Sequence, residues 1–118
     1  MLSIRSLSVF YSPDAAAISG LDLDVREGEI FFLLGPSGCG KSTLLRTIAG
    51  FVRQRSGSIR LAGREIGVLP PEKRRAPMVF QNYALWPHLD VAGNVAFGLK
   101  LRGLSANQVR RETESILE

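Results

Sequence analysis

The chain has 118 residues, a length that fits about one small domain with a modest core. Hydrophobic residues make up 45% and charged residues 22%, which is ordinary for a packed globular protein and excludes a disordered chain. The net charge is only +4, and the densest basic cluster, Lys73 to Arg75, is short. That cluster favours a solvated loop over a nucleic-acid patch, so no nucleic-acid partner is expected.

Targeting and redox signals are weak along the whole chain. The longest uncharged apolar run, Ile30 to Leu34, is far below the ~20 residues that span a bilayer. Cys39 is the only cysteine, so an internal disulfide is excluded. These features predict a chain that resides in the cytoplasm.

The first elements predict a sheet with two kinds of strand. Leu2 to Phe10 and Leu21 to Val25 alternate apolar with polar residues, which is typical of an antiparallel layer at the edge of a sheet. Glu29 to Leu34 is instead almost continuously apolar, which favours a central parallel strand that is buried on both faces.

The later elements complete an α/β pattern. Lys41 to Ala49 predicts a helix with Leu44, Leu45 and Ile48 on one face and Gly50 as its stop. Further strands are expected at 57–62, 64–66 and 77–81, and helices at 91–101 and 105–117. The predicted fold is a partly parallel sheet flanked by helices, with an antiparallel β edge layer.

A glycine-rich segment lies between the buried strand and the first helix. It fits the P-loop pattern G-x-x-x-x-G-K-[ST] with Gly35, Pro36, Ser37, Gly38, Cys39, Gly40, Lys41 and Ser42. Its glycines let successive backbone N–H groups curl around a phosphate, and the helix that follows adds the positive end of its dipole. The alternative is a glycine-rich turn without a ligand.

Three side chains at the start of this helix suit a nucleotide. Lys41 is placed to reach the β- and γ-phosphates, and the Ser42 hydroxyl to ligate Mg²⁺. Thr43 is expected at the α-phosphate. Cys39 is interpreted as a small residue that the loop tolerates, without chemistry of its own.

Two long motifs resemble one family. Gly35 to Thr43 followed by LLRTIAG, and LPPEKRRAPMVFQNYALWPHLDV from Leu69 to Val91, resemble the ATP-binding subunits of ABC transporters. The closest likeness is to bacterial importer ATPases of the maltose and spermidine/putrescine type. The resemblance covers essentially the whole chain and implies a P-loop NTPase-like fold that binds ATP and Mg²⁺, with hydrolysis driving solute uptake.

The resemblance also implies roles outside the P-loop. Gln81 matches the Q-loop glutamine, which contacts Mg²⁺ and the attacking water, although it could be an ordinary polar residue that closes a strand. Tyr11 resembles the aromatic residue that stacks on adenine, with Phe10 as the alternative.

Partners follow from the same resemblance. Tyr83, Ala84, Leu85 and Trp86 resemble the segment that meets the transmembrane permease, while Trp86 could equally cover the core of its own domain. A second copy of the ATPase subunit and, indirectly, a solute-binding protein are implied. The subunit would be peripheral, on the cytoplasmic face of the inner membrane.

Other family motifs are not identifiable among these residues: the LSGGQ-like signature, the Walker B strand with its Asp-Glu pair, and the switch His. Leu104 to Gln108 resembles the signature superficially, but Ser105 and Gln108 are better explained as a capping box that begins a helix. We therefore expect residues 1–118 to be the N-terminal portion of an ABC nucleotide-binding domain that is unstable and inactive alone.

Two other functions remain open from the sequence. The first is a truncated module that binds nucleotide or permease without hydrolysis. The second is another P-loop enzyme, such as a small kinase, which would need an acceptor-substrate site and no permease contact.

Overall fold

The computed structural model describes all residues from 1 to 118. The chain divides into two compact units, Met1–Met78 and Val79–Glu118, whereas its length predicts one fold unit. None of its helices has the length and apolar character needed to cross a bilayer. In chain order the elements are β1 (Leu2–Ser12), β2 (Ala15–Val25), α1 (Lys41–Ala49), β3 (Ser56–Leu61), β4 (Arg64–Glu65), a 3-10 turn (Pro71–Lys73), α2 (Val91–Leu101) and α3 (Ala106–Leu117).

The first unit is built on a four-stranded antiparallel sheet in the order β2-β1-β3-β4. β1 and β2 form a hairpin in which Leu2 lies opposite Val25 and Ser12 lies opposite Ala15. The antiparallel edge layer predicted from alternating residues is therefore confirmed, and both strands extend further than the alternation indicates.

Helix α1 packs on this sheet and completes the core. Leu44 joins a cluster of buried aliphatic side chains from the strands and from the segment that follows β4, and each contributes roughly 1.5–3 kcal/mol by leaving water. The members of that cluster are Ile4, Leu7, Val9, Leu44, Ile59 and Ile66. Gly50 ends the helix with φ 95°, as predicted.

The buried face of α1 differs from the predicted face at several positions. Leu45 is 50% exposed, whereas Thr47 is completely buried. A polar residue is tolerated there because the Thr47 hydroxyl donates a hydrogen bond to the Thr43 carbonyl at 2.7 Å.

The second unit is a helical pair whose two starts are capped. The Asp90 carboxylate accepts a hydrogen bond from the Gly93 N–H and caps α2. Ser105 and Gln108 form the predicted capping box at α3, so the sequence that superficially resembles the family signature is a helix start. Ala96 and Val109 are the buried hydrophobic residues of the pair.

The central strand predicted over 29–34 and the further strand predicted over 77–81 do not form. No strand is present over 29–34 or 77–81, and Ile30, Phe32 and Val79 are 81%, 76% and 91% exposed. A doubly buried strand needs neighbouring strands for its N–H and C=O groups, and the four-stranded sheet does not include either segment. These two strand predictions are therefore wrong for this structure.

Arg74 is a buried cation that sequence analysis places in a solvated loop. Its side chain is only 5% exposed, and its guanidinium donates to four backbone carbonyls at 2.7–3.2 Å. Burial lowers the pKa of the guanidinium, and the nearby Glu65 carboxylate opposes that effect. The four acceptors are the carbonyls of Thr47, Ile48, Gly67 and Leu69.

These contacts join the last turn of α1 to the segment that follows β4. The helix C-terminus carries partial negative charge, so a guanidinium placed there is favoured in the absence of a carboxylate ion-pair partner. The planar fork of arginine reaches acceptors on several sides at once, which a lysine ammonium cannot do.

We predict that Arg74→Met lowers the free energy of unfolding of the 118-residue chain by about 2–4 kcal/mol, because it leaves buried carbonyls without donors. Arg74→Lys should recover only part of the loss. Urea denaturation followed by circular dichroism measures both. The matched control is the exposed neighbour Lys73, whose change to Met should stay within about 0.5 kcal/mol; equal losses at the two positions would contradict the assignment.

Candidate functional site

The loop between residue 34 and α1 has the backbone shape that its glycines predict. Gly38 and Gly40 adopt φ 82° and φ 94°, values that residues with a Cβ rarely adopt. A Cβ at Gly40 would lie 2.8 Å from the Ala17 carbonyl oxygen of β2, whereas a Cβ at Gly38 would meet nothing within 4 Å. Gly40 is therefore required both by its conformation and by its close approach to the hairpin.

The first turn of α1 has no side-chain cap. Gly40 occupies the N-cap position without a side-chain hydrogen bond, and no acidic residue lies in the first turn. By contrast, α2 and α3 each begin with a capping side chain. The first N–H groups of α1, together with the positive end of its dipole, are thus available to an anion.

Lys41 lies back across the loop. Its ammonium donates to the carbonyl oxygens of Gly35 at 2.7 Å and Pro36 at 2.6 Å, and its Nζ is 3.5 Å from the Cys39 sulfur. The positive charge is therefore held within the loop itself. Cys39 is exposed and is the free thiol of the chain.

The structure separates the two candidate aromatic residues. Phe10 is half-buried, and the guanidinium of Arg55 lies over its ring at 4.8 Å from the centroid. Tyr11 is 63% exposed, and its hydroxyl lies 3.1 Å from the Thr43 hydroxyl in α1. Only Tyr11 thus combines a free ring face with a contact to the helix that follows the loop.

The two residues predicted to bind Mg²⁺ lie in different units. Ser42 is exposed in the first turn of α1, in the first unit. Gln81 is exposed in a turn and is the third residue of the second unit. Their joint role at one metal ion stays a prediction.

The segment predicted to meet a permease is partly packed on its own helix. Tyr83 and Leu85 are 78% and 66% exposed. Trp86 is 47% exposed, with its ring centroid 5.2 Å from that of Phe97 in α2. The Trp86 ring thus packs against its own unit, and the remainder of the ring is exposed to solvent.

Sequence analysis missed Asn94, which shapes this segment. Its Nδ2 group donates to the carbonyls of Trp86, Leu89 and Asp90 at 2.9–3.2 Å, and its Oδ1 accepts from the Trp86 N–H at 2.8 Å. Asparagine has low helix propensity, so its presence in the first turn of α2 is the signal that could have indicated a side-chain role.

Known families and proteins give a consistent comparison. The family model described as ABC transporter matches residues 18–118. The spermidine/putrescine import ATP-binding protein PotA of Frankia alni is 55% identical over 102 residues, covering 86% of this chain and 22% of the relative. PotA of Thermotoga maritima is 48% identical, covering 98% of this chain and 31% of the relative.

A third relative belongs to an uptake system for a different solute. The diacetylchitobiose uptake system ATP-binding protein MsiK of Streptomyces coelicolor is 44% identical, covering 93% of this chain and 29% of the relative. The chain therefore spans less than a third of the length of each of these three curated relatives.

A solved structure agrees with the fold. The dimeric, post-hydrolysis structure of the ATP-binding cassette MJ0796 bound to ADP and Pi superposes with a TM-score of 0.83 at 25% identity. The match covers 98% of this chain and 55% of that cassette. This match confirms the predicted α/β fold class of an incomplete P-loop domain.

We predict that Gly40→Ala destabilises the chain more than Gly38→Ala does. Both changes impose a left-handed conformation on alanine, at about 1 kcal/mol, but only the first also drives a Cβ into the Ala17 carbonyl. Urea denaturation of the two variants gives the difference, which we expect to be at least about 1 kcal/mol. Equal destabilisation would show that the contact with β2 is unimportant.

Proposed function

Because the chain belongs to the ABC transporter family, we propose that its P-loop binds the triphosphate of ATP together with Mg²⁺. The observation that carries the proposal is the uncapped start of α1 beside a loop whose lysine already lies across it. A polyphosphate would be met there by backbone N–H groups, a helix dipole and one fixed cation. In the complete protein, hydrolysis of ATP would drive solute import.

The residues of the first unit have distinct roles in this proposal. Lys41 exchanges the carbonyl oxygens of its own loop for β- and γ-phosphate oxygens, which are stronger acceptors because they are ionised. Thr43 contacts the α-phosphate. Tyr11, whose ring is exposed, stacks on adenine, and the Arg55 guanidinium that lies over the half-buried Phe10 ring supports this choice.

The donor set fits Mg²⁺, which prefers oxygen ligands and keeps several waters. The exposed Ser42 hydroxyl would supply one ligand, and Gln81 is proposed to supply a second and to orient the attacking water. Bound Mg²⁺ would neutralise charge on the β- and γ-phosphates. Lys41 adds a second positive charge at the same phosphates.

Partners are proposed on the same basis. The exposed Tyr83 and Leu85, with Ala84 and the half-exposed Trp86, would contact a membrane-embedded permease. A second ATPase subunit would face the loop, and a solute-binding protein would act indirectly. The subunit would then be peripheral, on the cytoplasmic face of the membrane.

A non-hydrolysing role for residues 1–118 is the second candidate. No Asp-Glu pair follows an apolar strand within these residues, so the group that would polarise the attacking water is not among them. ATP turnover by the 118-residue chain, compared with that of a chain extended to the length of its relatives, distinguishes nucleotide binding alone from hydrolysis.

We expect calorimetry to show Mg²⁺-dependent ATP binding that Lys41→Met weakens about ten- to hundredfold, since a hydrogen bond to a charged group contributes about 1.5–3 kcal/mol. Lys73→Met removes the same charge from an exposed site outside the loop and is the matched control. ATP binding that is unchanged by Lys41→Met would contradict the proposal.

Ser42→Ala tests the metal ligand separately. The variant keeps the backbone cradle and Lys41, so ATP should still bind in the absence of Mg²⁺, while the gain in affinity on adding Mg²⁺ should shrink. Titrations with and without MgCl₂ measure that gain. A gain equal to that of the wild-type chain would exclude Ser42 as a ligand.

A further inference from the structure

The hydroxyl of Tyr11 contacts the hydroxyl of Thr43 at 3.1 Å. This contact is separate from the Tyr11 ring face, to which the proposed function assigns the base. It joins β1 to the third residue of α1, a sequence separation of 32 residues. Tyr11 lies at an irregularity of the hairpin, because Phe10 pairs with Ala16 and Ser12 pairs with Ala15, which leaves Tyr11 between them without a pairing partner on β2.

Thr43 is held tightly at the other end of the contact. Its residue is only 8% exposed, and its carbonyl accepts the Thr47 hydroxyl at 2.7 Å. Little solvent therefore reaches the Thr43 side chain. The Tyr11 hydroxyl is the hydrogen-bond partner that the structure gives to Thr43 Oγ1.

A bound anion would determine which of the two hydroxyls donates the hydrogen bond between Tyr11 and Thr43. Each hydroxyl has one proton and can also accept. An ionised phosphate can only accept, so Thr43 must give its proton to the phosphate. Tyr11 must then be the donor to Thr43 Oγ1, and donors in such a chain strengthen one another.

We propose that Tyr11 is a positioning residue for the phosphate end of the ligand, in addition to any role of its ring. Its hydroxyl donates to Thr43 Oγ1 and thereby directs the Thr43 proton toward the bound phosphate. This inference rests on the proposed function, because it requires that the loop take a polyphosphate. It assigns to one tyrosine two separable contributions, one from the ring and one from the hydroxyl.

Two ligands separate these contributions. Isothermal titration of the 118-residue chain with Mg-ATP measures both, whereas inorganic tripolyphosphate with Mg²⁺ has no base and measures only the phosphate end. We expect Tyr11→Phe to weaken the two ligands equally, by about three- to tenfold, the effect of one hydrogen bond. Tyr11→Ala should weaken ATP further but tripolyphosphate no more than Tyr11→Phe does.

A double-mutant cycle tests whether the effect passes through Thr43. Thr43→Val keeps the side-chain shape and removes the hydroxyl. In that background Tyr11→Phe should cause no further loss of tripolyphosphate affinity. Additive losses of affinity would overturn the proposal that Tyr11 acts through Thr43. Because Tyr11 is exposed and Phe keeps the ring, the fold should be retained, and a thermal melt of each variant checks this.

The possible failures are distinguishable. If the wild-type chain binds neither ligand, the proposed function is wrong, and the positioning role of Tyr11 is wrong with it. If the wild-type chain binds both ligands and Tyr11→Phe binds tripolyphosphate with wild-type affinity, only the positioning role of Tyr11 is overturned. A loss confined to ATP would also overturn it, because the hydroxyl would then act on the ring alone.

Discussion

The position of α1 depends on how its C-terminus is held by Arg74. A buried guanidinium carries a large desolvation cost, and here it is offset by hydrogen bonds to the carbonyls of Thr47, Ile48, Gly67 and Leu69. Two of these acceptors belong to the last turn of α1, where the helix dipole favours a cation. The helix that follows the glycine-rich loop is thus fixed at the end that is remote from the loop.

The N-terminal end of α1 is fixed by the hairpin. The backbone at Gly40 approaches the Ala17 carbonyl of β2, and Tyr11 at the end of β1 reaches Thr43. Between these ends, Leu44 packs among aliphatic side chains of the sheet. The loop therefore joins a helix that is held at both ends and along its length, which is what a preorganised anion site requires.

Local patterns were sufficient to predict the elements whose partners lie close in the chain. Alternation predicted β1 and β2, glycine predicted the end of α1, and Ser105 with Gln108 predicted the start of α3. The strand prediction from the continuous apolar run at 29–34 was wrong because such a run indicates burial on both faces, and that burial depends on neighbouring strands rather than on the run itself. The prediction that Arg74 lies in a solvated loop was wrong for a similar reason, since no local rule places an arginine against carbonyls that are distant in the sequence.

At the candidate site, too, local features could be predicted from the sequence, whereas features that depend on tertiary contacts could not. The loop pattern predicted a backbone that curls at Gly38 and Gly40 and a helix that begins directly after it, and the positive φ of both glycines agrees with that prediction. It could not predict that Lys41 would donate to the carbonyls of Gly35 and Pro36, or that Tyr11 rather than Phe10 would be exposed. Those outcomes depend on tertiary contacts, such as Arg55 over the Phe10 ring.

The folded-back Lys41 affects how affinity would arise. Its ammonium is already ordered by two carbonyl oxygens, so binding a phosphate requires little further loss of side-chain freedom. The exchange is favourable only to the extent that ionised phosphate oxygens are better acceptors than amide carbonyls. Selectivity for a highly charged ligand would follow, because a neutral acceptor would gain nothing by displacing the contacts that the loop makes with its own lysine.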